Sequence, residues 1–164
     1  MMDCKLIIFD VDGTLVTTAS GATFRKNAAD WQWLPKRVEK LQALVSQGIH
    51  LGIATNQGGV AFGYMQSWDI GAELLRMADA IPIHHEMVSV CCQHPQATID
   101  LYRMDSERRK PGPGMLIELM GLADVTASDT LMVGDRPEDE QAAQNAGVAF
   151  MWADEFFRES EPAP

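Results

Sequence analysis

The sequence predicts an α/β protein built on a doubly wound parallel sheet, and two observations carry that prediction. Short apolar runs, "LIIF", "IHLGIATN" and "DTLMVGD", each end in polar residues, as strands buried on both faces of a sheet do. Between them lie segments whose apolar residues recur at helical spacing, and alternating strands and helices imply a parallel sheet covered on both sides.

Taken in order, Leu6, Ile7, Ile8 and Phe9 form the first strand, which runs straight into Asp10, Asp12 and Gly13. Residues 15–34 have no clean period and mix Gly, Thr, charges and two Trp, which marks a long ordered loop or flap. Pro35 opens a helix with Val38, Leu41, Leu44 and Val45 on one face and Gly48 as its stop. "IHLGIATN" is the second strand. Ile70, Leu74, Leu75 and Met77 place a helix within 64–80, and "IPIHHEMVSVCC" reads as a further strand region in which His84 and His85 are ordinary strand histidines, one inward and one outward. A third helix begins near Pro113, with Met115, Leu116, Leu119 and Met120 as its buried stripe. "DTLMVGD" repeats the opening design, a helix runs from Pro137 to Ala146 with Gly147 as its stop, and "VAFMW" is the last strand.

The bulk properties bound the function. With 164 residues and 46% hydrophobic content, one compact domain over 1–158 is expected, with the acidic, Pro-containing "ESEPAP" at 159–164 as a frayed tail. No apolar run approaches a membrane span, and Asp3 and Asp10 interrupt any signal-peptide pattern, so a soluble cytoplasmic protein with no membrane partner is expected. Three cysteines, Cys4, Cys91 and Cys92, do not make a disulfide framework. The net charge of -10 repels anionic membranes and disfavours extended duplex binding, though a local basic patch can override it.

Asp10 and Asp12 are like charges at a strand's C-terminal edge, where ligand sites form in open α/β sheets, and they resist desolvation unless a cation or proton is shared. In this topology Thr55 and Asn56 after the second strand, and Asp135 and Asp139 after "LMVG", reach the same edge. Lys110 adds a cation before a helix start. This set suits phosphoryl transfer: a carboxylate nucleophile, an acid/base, hydroxyl and amide donors for phosphate oxygens, a lysine, and carboxylates for magnesium.

The segments "DVDGT", "ATNQGG", "RKPGPGM" and "VGDRPEDEQAA", in this order, resemble the four motifs of the haloacid dehalogenase superfamily of phosphatases. That resemblance implies a phosphoric monoester hydrolase in which Asp10 attacks phosphorus to form an aspartyl-phosphate, and Asp12 protonates the leaving group and later activates water. It implies that Thr55 and Asn56 hold phosphate oxygens and that Lys110 neutralises charge, with Arg109 as a substrate-phosphate contact. Asp135, the Asp10 carboxylate and the Asp12 main-chain carbonyl would bind Mg²⁺, with Asp139 as a further ligand or an outer partner. The intervals between motifs leave no room for a folded cap, so a capless site is implied, similar to subfamily IIIA, which includes histidinol phosphatase, heptose bisphosphate phosphatase and polynucleotide 3'-phosphatase.

Within that subfamily two features diverge. Thr17, Ser20, Gly21, Phe24, Asp30 and Trp31, with basic Arg25 and Lys26 among them, are similar to the polynucleotide 3'-phosphatase loop, and Phe24, Trp31 and Trp33 either stack on a base or sugar or pack the flap on the body. Cys92 and His94 resemble half of the structural zinc site of the sugar-phosphate branch. Zn²⁺ would need His84, His85 or Cys91 as well, and the plainer reading of the cysteines is small apolar residues at a strand end. The expected partner is a phosphorylated substrate, either a nucleic acid strand end or a small histidinol or heptose-type phosphate. A catalytically silent binding protein is the competing class, and intact Asp10, Asp12, Thr55, Lys110 and Asp135 count against it.

Overall fold

A computed structural model describes residues 4–158, so the predicted tail at 159–164 lies outside the described residues. The elements are β1 (Leu6–Phe9), β2 (Val16–Thr17), β3 (Gln32–Trp33), α1 (Arg37–Ser46), β4 (His50–Asn56), α2 (Gly58–Ala61), α3 (Ser67–Ala80), β5 (Val88–Cys91), α4 (Gly114–Ala123), β6 (Thr130–Gly134), α5 (Pro137–Ala146), β7 (Ala149–Trp152) and α6 (Ala153–Phe156). Five strands form one parallel sheet in the order β5-β4-β1-β6-β7. β1 is central, with Phe9 in register with Ile53 on one side and Val133 on the other.

Successive strand residues point to opposite faces, and all four residues of β1 and all five of β6 are buried. Both faces of the sheet are therefore covered, which is why these strands are continuous in apolar residues rather than alternating. α4 packs on β1, β4 and β5 and meets α5. α1 is tied to α3 through Gln42 and to α6 through Lys40, which reaches the Phe156 carbonyl. Phe156 and Phe157 close on Phe9 at ring-centroid distances of 5.5 and 6.0 Å.

The chain reverses direction across the sheet between β1 and β6, so their C-terminal ends flank the crevice where open α/β sheets bind ligands. Three local features depart from the sequence reading. His84 and His85 precede the strand: α3 runs to Ala80, Pro82 interrupts the chain, and a single turn closed by Met87 N–H to the His84 carbonyl at 2.9 Å carries it to Val88. Both histidines are exposed, and His85 Nε2 lies 2.6 Å from Asp79 Oδ1. The flap contains a short antiparallel ribbon, Val16 opposite Trp33 and Thr17 opposite Gln32. α2 and α6, of four residues each, are too short to show a period. Among the described residues, no helix is long and apolar enough to cross a membrane.

Candidate active site

β1 delivers Asp10 to the crevice as its first residue beyond the ladder, its N–H bonded to the Val133 carbonyl at 3.0 Å. The chain then turns at Gly13, φ +86°, where a Cβ would lie 2.1 Å from Asp135 Oδ2; only glycine admits that approach. β6 brings Gly134 and Asp135 to the same edge, and Gly134 is equally constrained, since a Cβ there would lie 2.4 Å from the Asp139 Cβ. Asp139, in the first turn of α5, accepts the Asp135 and Arg136 N–H groups on Oδ2 at 3.2 and 3.1 Å.

Lys110 enters from the loop before α4. Its ammonium is buried and lies 2.8 Å from Asp10 Oδ1 and 2.6 Å from Asp139 Oδ1. The Asn56 side chain fixes that loop: Oδ1 accepts the Lys110 N–H at 3.0 Å and Nδ2 donates to the Lys110 carbonyl at 2.9 Å. The Asn56 amide is thus committed to the Lys110 backbone at both ends. Thr55 is buried and its Oγ1 accepts from Gln57 Nε2 at 2.9 Å, leaving its own hydrogen to donate. Arg109 is half-buried at the cleft wall and donates to the Gln93 carbonyl at 3.3 Å.

Asp12 is gripped on both oxygens, by Arg25 Nε on Oδ1 at 2.7 Å and by Gln57 Nε2 on Oδ2 at 2.9 Å. The sequence reading missed Gln57, although it follows Thr55-Asn56 directly in "ATNQGG". Arg25, one of the two basic residues of the flap, is drawn inward onto Asp12, with a side chain only 4% exposed. Asp30 organises the flap by accepting the N–H groups of Lys26 and Ser20 and the Ser20 hydroxyl at 2.7–2.9 Å. Trp31 and Trp33 meet edge to face at 5.5 Å, and Trp31 Nε1 donates to Glu73 on α3. These two tryptophans pack the flap on the body, whereas Phe24 stands exposed at the cleft mouth with Tyr64.

Burial pushes the Asp10 carboxyl up to about 7, aided by Asp139 and Asp135 and opposed by Lys110. Burial and Asp139 also raise Asp135. Burial works to lower Lys110, but Asp10 and Asp139 outweigh it and hold the ammonium above its ordinary value. The Lys26 N–H and then the Ser20 hydroxyl hold Asp30 below the usual carboxylate range. Asp10, Asp135 and Asp139 each offer an oxygen within 4.8 Å of the others, a donor set that fits a hard divalent cation. Asp139 already uses both oxygens, so Asp10 and Asp135 are the more available pair.

The Zn²⁺ alternative gains no support from the described residues. Cys92 and His94 belong to no such cluster among them. His94 Nδ1 accepts the Gln96 N–H at 3.0 Å, its ring meets Phe62 at 5.0 Å, and Cys91 turns its thiol to Gln93.

A parallel sheet that sets carboxylates and a buried lysine around its central strand ends, with no cap above them among the described residues, is that of a haloacid dehalogenase superfamily phosphatase of the IIIA type. The family model described as polynucleotide kinase 3 phosphatase matches residues 5–157, and the chain belongs to that family. Among curated relatives, a D-glycero-beta-D-manno-heptose-1,7-bisphosphate 7-phosphatase of Rhodopseudomonas palustris is 33% identical over 71% of this chain and 67% of its own length. A bifunctional polynucleotide phosphatase/kinase of Schizosaccharomyces pombe is also 33% identical, over 93% of this chain but 37% of its own. Among solved structures, the D,D-heptose 1,7-bisphosphate phosphatase of B. bronchiseptica, complexed with magnesium and phosphate, aligns with a TM-score of 0.71 at 29% identity, over 89% of this chain and 78% of that one.

Proposed function

We propose that this phosphatase is a Mg²⁺-dependent phosphomonoesterase that works through an aspartyl-phosphate on Asp10. The observation that carries this reading is Lys110 lying between Asp10 and Asp139 beside Asp135. One protein cation cannot balance three clustered carboxylates, two of them buried, and Asp10 and Asp135, with Asp139 as further or outer partner, would hold a magnesium ion that would supply the missing positive charge and polarise a phosphate oxygen.

Asp10 attacks phosphorus in line, the ester P–O bond breaks, and the leaving oxygen takes a proton from Asp12. Asp12 then removes a proton from water as it attacks the phosphoenzyme, and the bond from phosphorus to Asp10 breaks to release inorganic phosphate. Thr55 donates its hydroxyl to a phosphate oxygen. Lys110 holds Asp10 and offsets phosphate charge, Asn56 holds Lys110, and Arg109 meets a substrate phosphate at the cleft wall.

For substrate we propose a terminal 3'-phosphate on a polynucleotide strand. The match of the family model through the flap supports it, as does an open cleft of about 940 Å³ with Phe24 and Tyr64 at its mouth, where an end base can stack. A heptose-type bisphosphate is the second reading, favoured by the heptose bisphosphate phosphatases among the relatives and solved structures.

The test is phosphate release in Mg²⁺ from a 3'-phosphorylated oligonucleotide, histidinol phosphate and heptose bisphosphate, with Asp10→Asn as control. Preference for the oligonucleotide supports the first reading, and preference for the bisphosphate replaces it with the second. Turnover by Asp10→Asn refutes the nucleophile.

A further inference from the structure

Arg25 lies in the flap between β2 and β3, yet almost all of its side chain is buried, with 4% exposed. Its Nε donates to Asp12 Oδ1 at 2.7 Å and its Nη1 to the flap carbonyl of Ala28 at 3.0 Å. Among the described residues, Nη2 is buried with no hydrogen-bond partner. A buried donor without an acceptor is unfavourable and persists only where the rest of the group is held firmly. An arginine that served merely as surface charge on this acidic chain would extend its head into water. This one instead leaves a nitrogen unsatisfied to keep its contact with Asp12.

Asp12 is thereby held from two directions. Gln57, tied to Thr55 on the sheet side, takes Oδ2, while Arg25, tied to the flap backbone, takes Oδ1. We infer that Arg25 is a positioning residue that aims the Asp12 carboxyl at the leaving-group oxygen only while the flap is seated. Leaving-group protonation and flap closure are then one event. In a capless fold the flap thus performs the alignment that a separate lid would otherwise give. The inference rests on the reading of Asp12 as proton donor: as the ester P–O bond breaks, the proton passes from Asp12 to the leaving oxygen, and Arg25 neither gains nor loses one.

The readout is leaving-group dependence. p-Nitrophenolate departs without a proton, whereas an alkoxide requires one. In Mg²⁺, kcat/KM is measured for wild type, Arg25→Met and Asp12→Asn on p-nitrophenyl phosphate and on a simple alkyl phosphate. General acid catalysis contributes about 10²–10⁴-fold, so Arg25→Met is expected to lose on the order of 10²-fold on the alkyl ester and less than about tenfold on the aryl ester. The ratio of the two rates does not depend on the fraction of variant folded. An equal loss on both substrates overturns the inference. If Asp12→Asn discriminates between the substrates and Arg25→Met does not, only the inference fails; if Asp12→Asn does not discriminate, the assignment of Asp12 fails with it.

Discussion

Asp10→Asn separates the electrostatics of the site from its packing, because an amide and a carboxylate have nearly the same shape. In the metal-free protein the Asp10 carboxyl is pushed up to about 7 from an ordinary 3.8, chiefly by burial. The native state therefore keeps a proton that the unfolded chain releases above about pH 4, and stability declines as pH rises from about 4 to 7. At about 1.4 kcal/mol per pKa unit the shift sets a ceiling of about 4 kcal/mol. That value already includes the attraction of Lys110, so in chelator Asp10→Asn should match wild type near pH 4 and exceed it at pH 8 by up to about 4 kcal/mol. Excess Mg²⁺ narrows the gap, since wild type gains about 2.7 kcal/mol when the ion is at a hundred times its Kd. Urea denaturation at the two pH values, with and without Mg²⁺, measures all four stabilities. A variant less stable than wild type at pH 8 in chelator refutes the reasoning.

Lys110→Met leaves Asp10 and Asp139 buried without their shared cation and should cost about 3–5 kcal/mol of stability along with all turnover; a urea midpoint equal to wild type refutes the pairing. Gly13→Ala forces a Cβ against Asp135 at a backbone φ that favours glycine and should weaken the stabilisation by Mg²⁺ at least about tenfold in ion concentration, read by thermal melts across an ion titration. Asp30 is ionised at neutral pH because the Lys26 N–H and Ser20 hold its carboxyl low. Its contribution to flap order is present above the ordinary pKa and is lost as pH falls through the lowered one. Asp30→Ala should accordingly abolish hydrogen-exchange protection of the Ser20 and Lys26 amides at pH 7, and undiminished protection refutes that role.

The parts of this structure legible in the sequence are those in which a residue's neighbours along the chain decide its state. Leu6–Phe9 and Thr130–Gly134 are strands because every position is apolar or small and both faces are covered. Pro137 and Gly147 mark the ends of α5 through their own backbone preferences. The convergence of Asp10, Asp135, Asp139 and Lys110 was legible because strand ends in a doubly wound sheet share one edge. The partners of Asn56, Gln57 and Arg25 were not. An amide or guanidinium carries no mark of which acceptor it will meet across 54, 45 or 13 residues, where the loop before α4, the turn after β1 or the flap decides. His84 and His85 failed for a related reason: their apolar neighbours suit a strand, but the chain leaving α3 needs those residues to turn.

The acidity of the chain bears on the substrate less than its net charge of -10 suggests, because that charge is unevenly placed. Along the cleft Asp10, Asp12, Asp135, Glu138 and Asp139 are matched in number by Arg25, Lys26, Arg109, Lys110 and Arg136. The cleft is thus formally neutral within an acidic body, and a divalent cation would make it positive. Arg25 and Lys110 are occupied by carboxylates, which leaves Lys26, Arg109 and Arg136 for phosphates beyond the scissile one. Under the proposed strand-end reading, such a cleft would admit a strand end while the acidic body repels a long duplex. With two or three such contacts the log–log salt slope of kcat/KM on a 3'-phosphorylated oligonucleotide should be about −1 to −2. A slope steeper than about −4 would require more free cations than this cleft can present, and would refute a site that reads only the strand end.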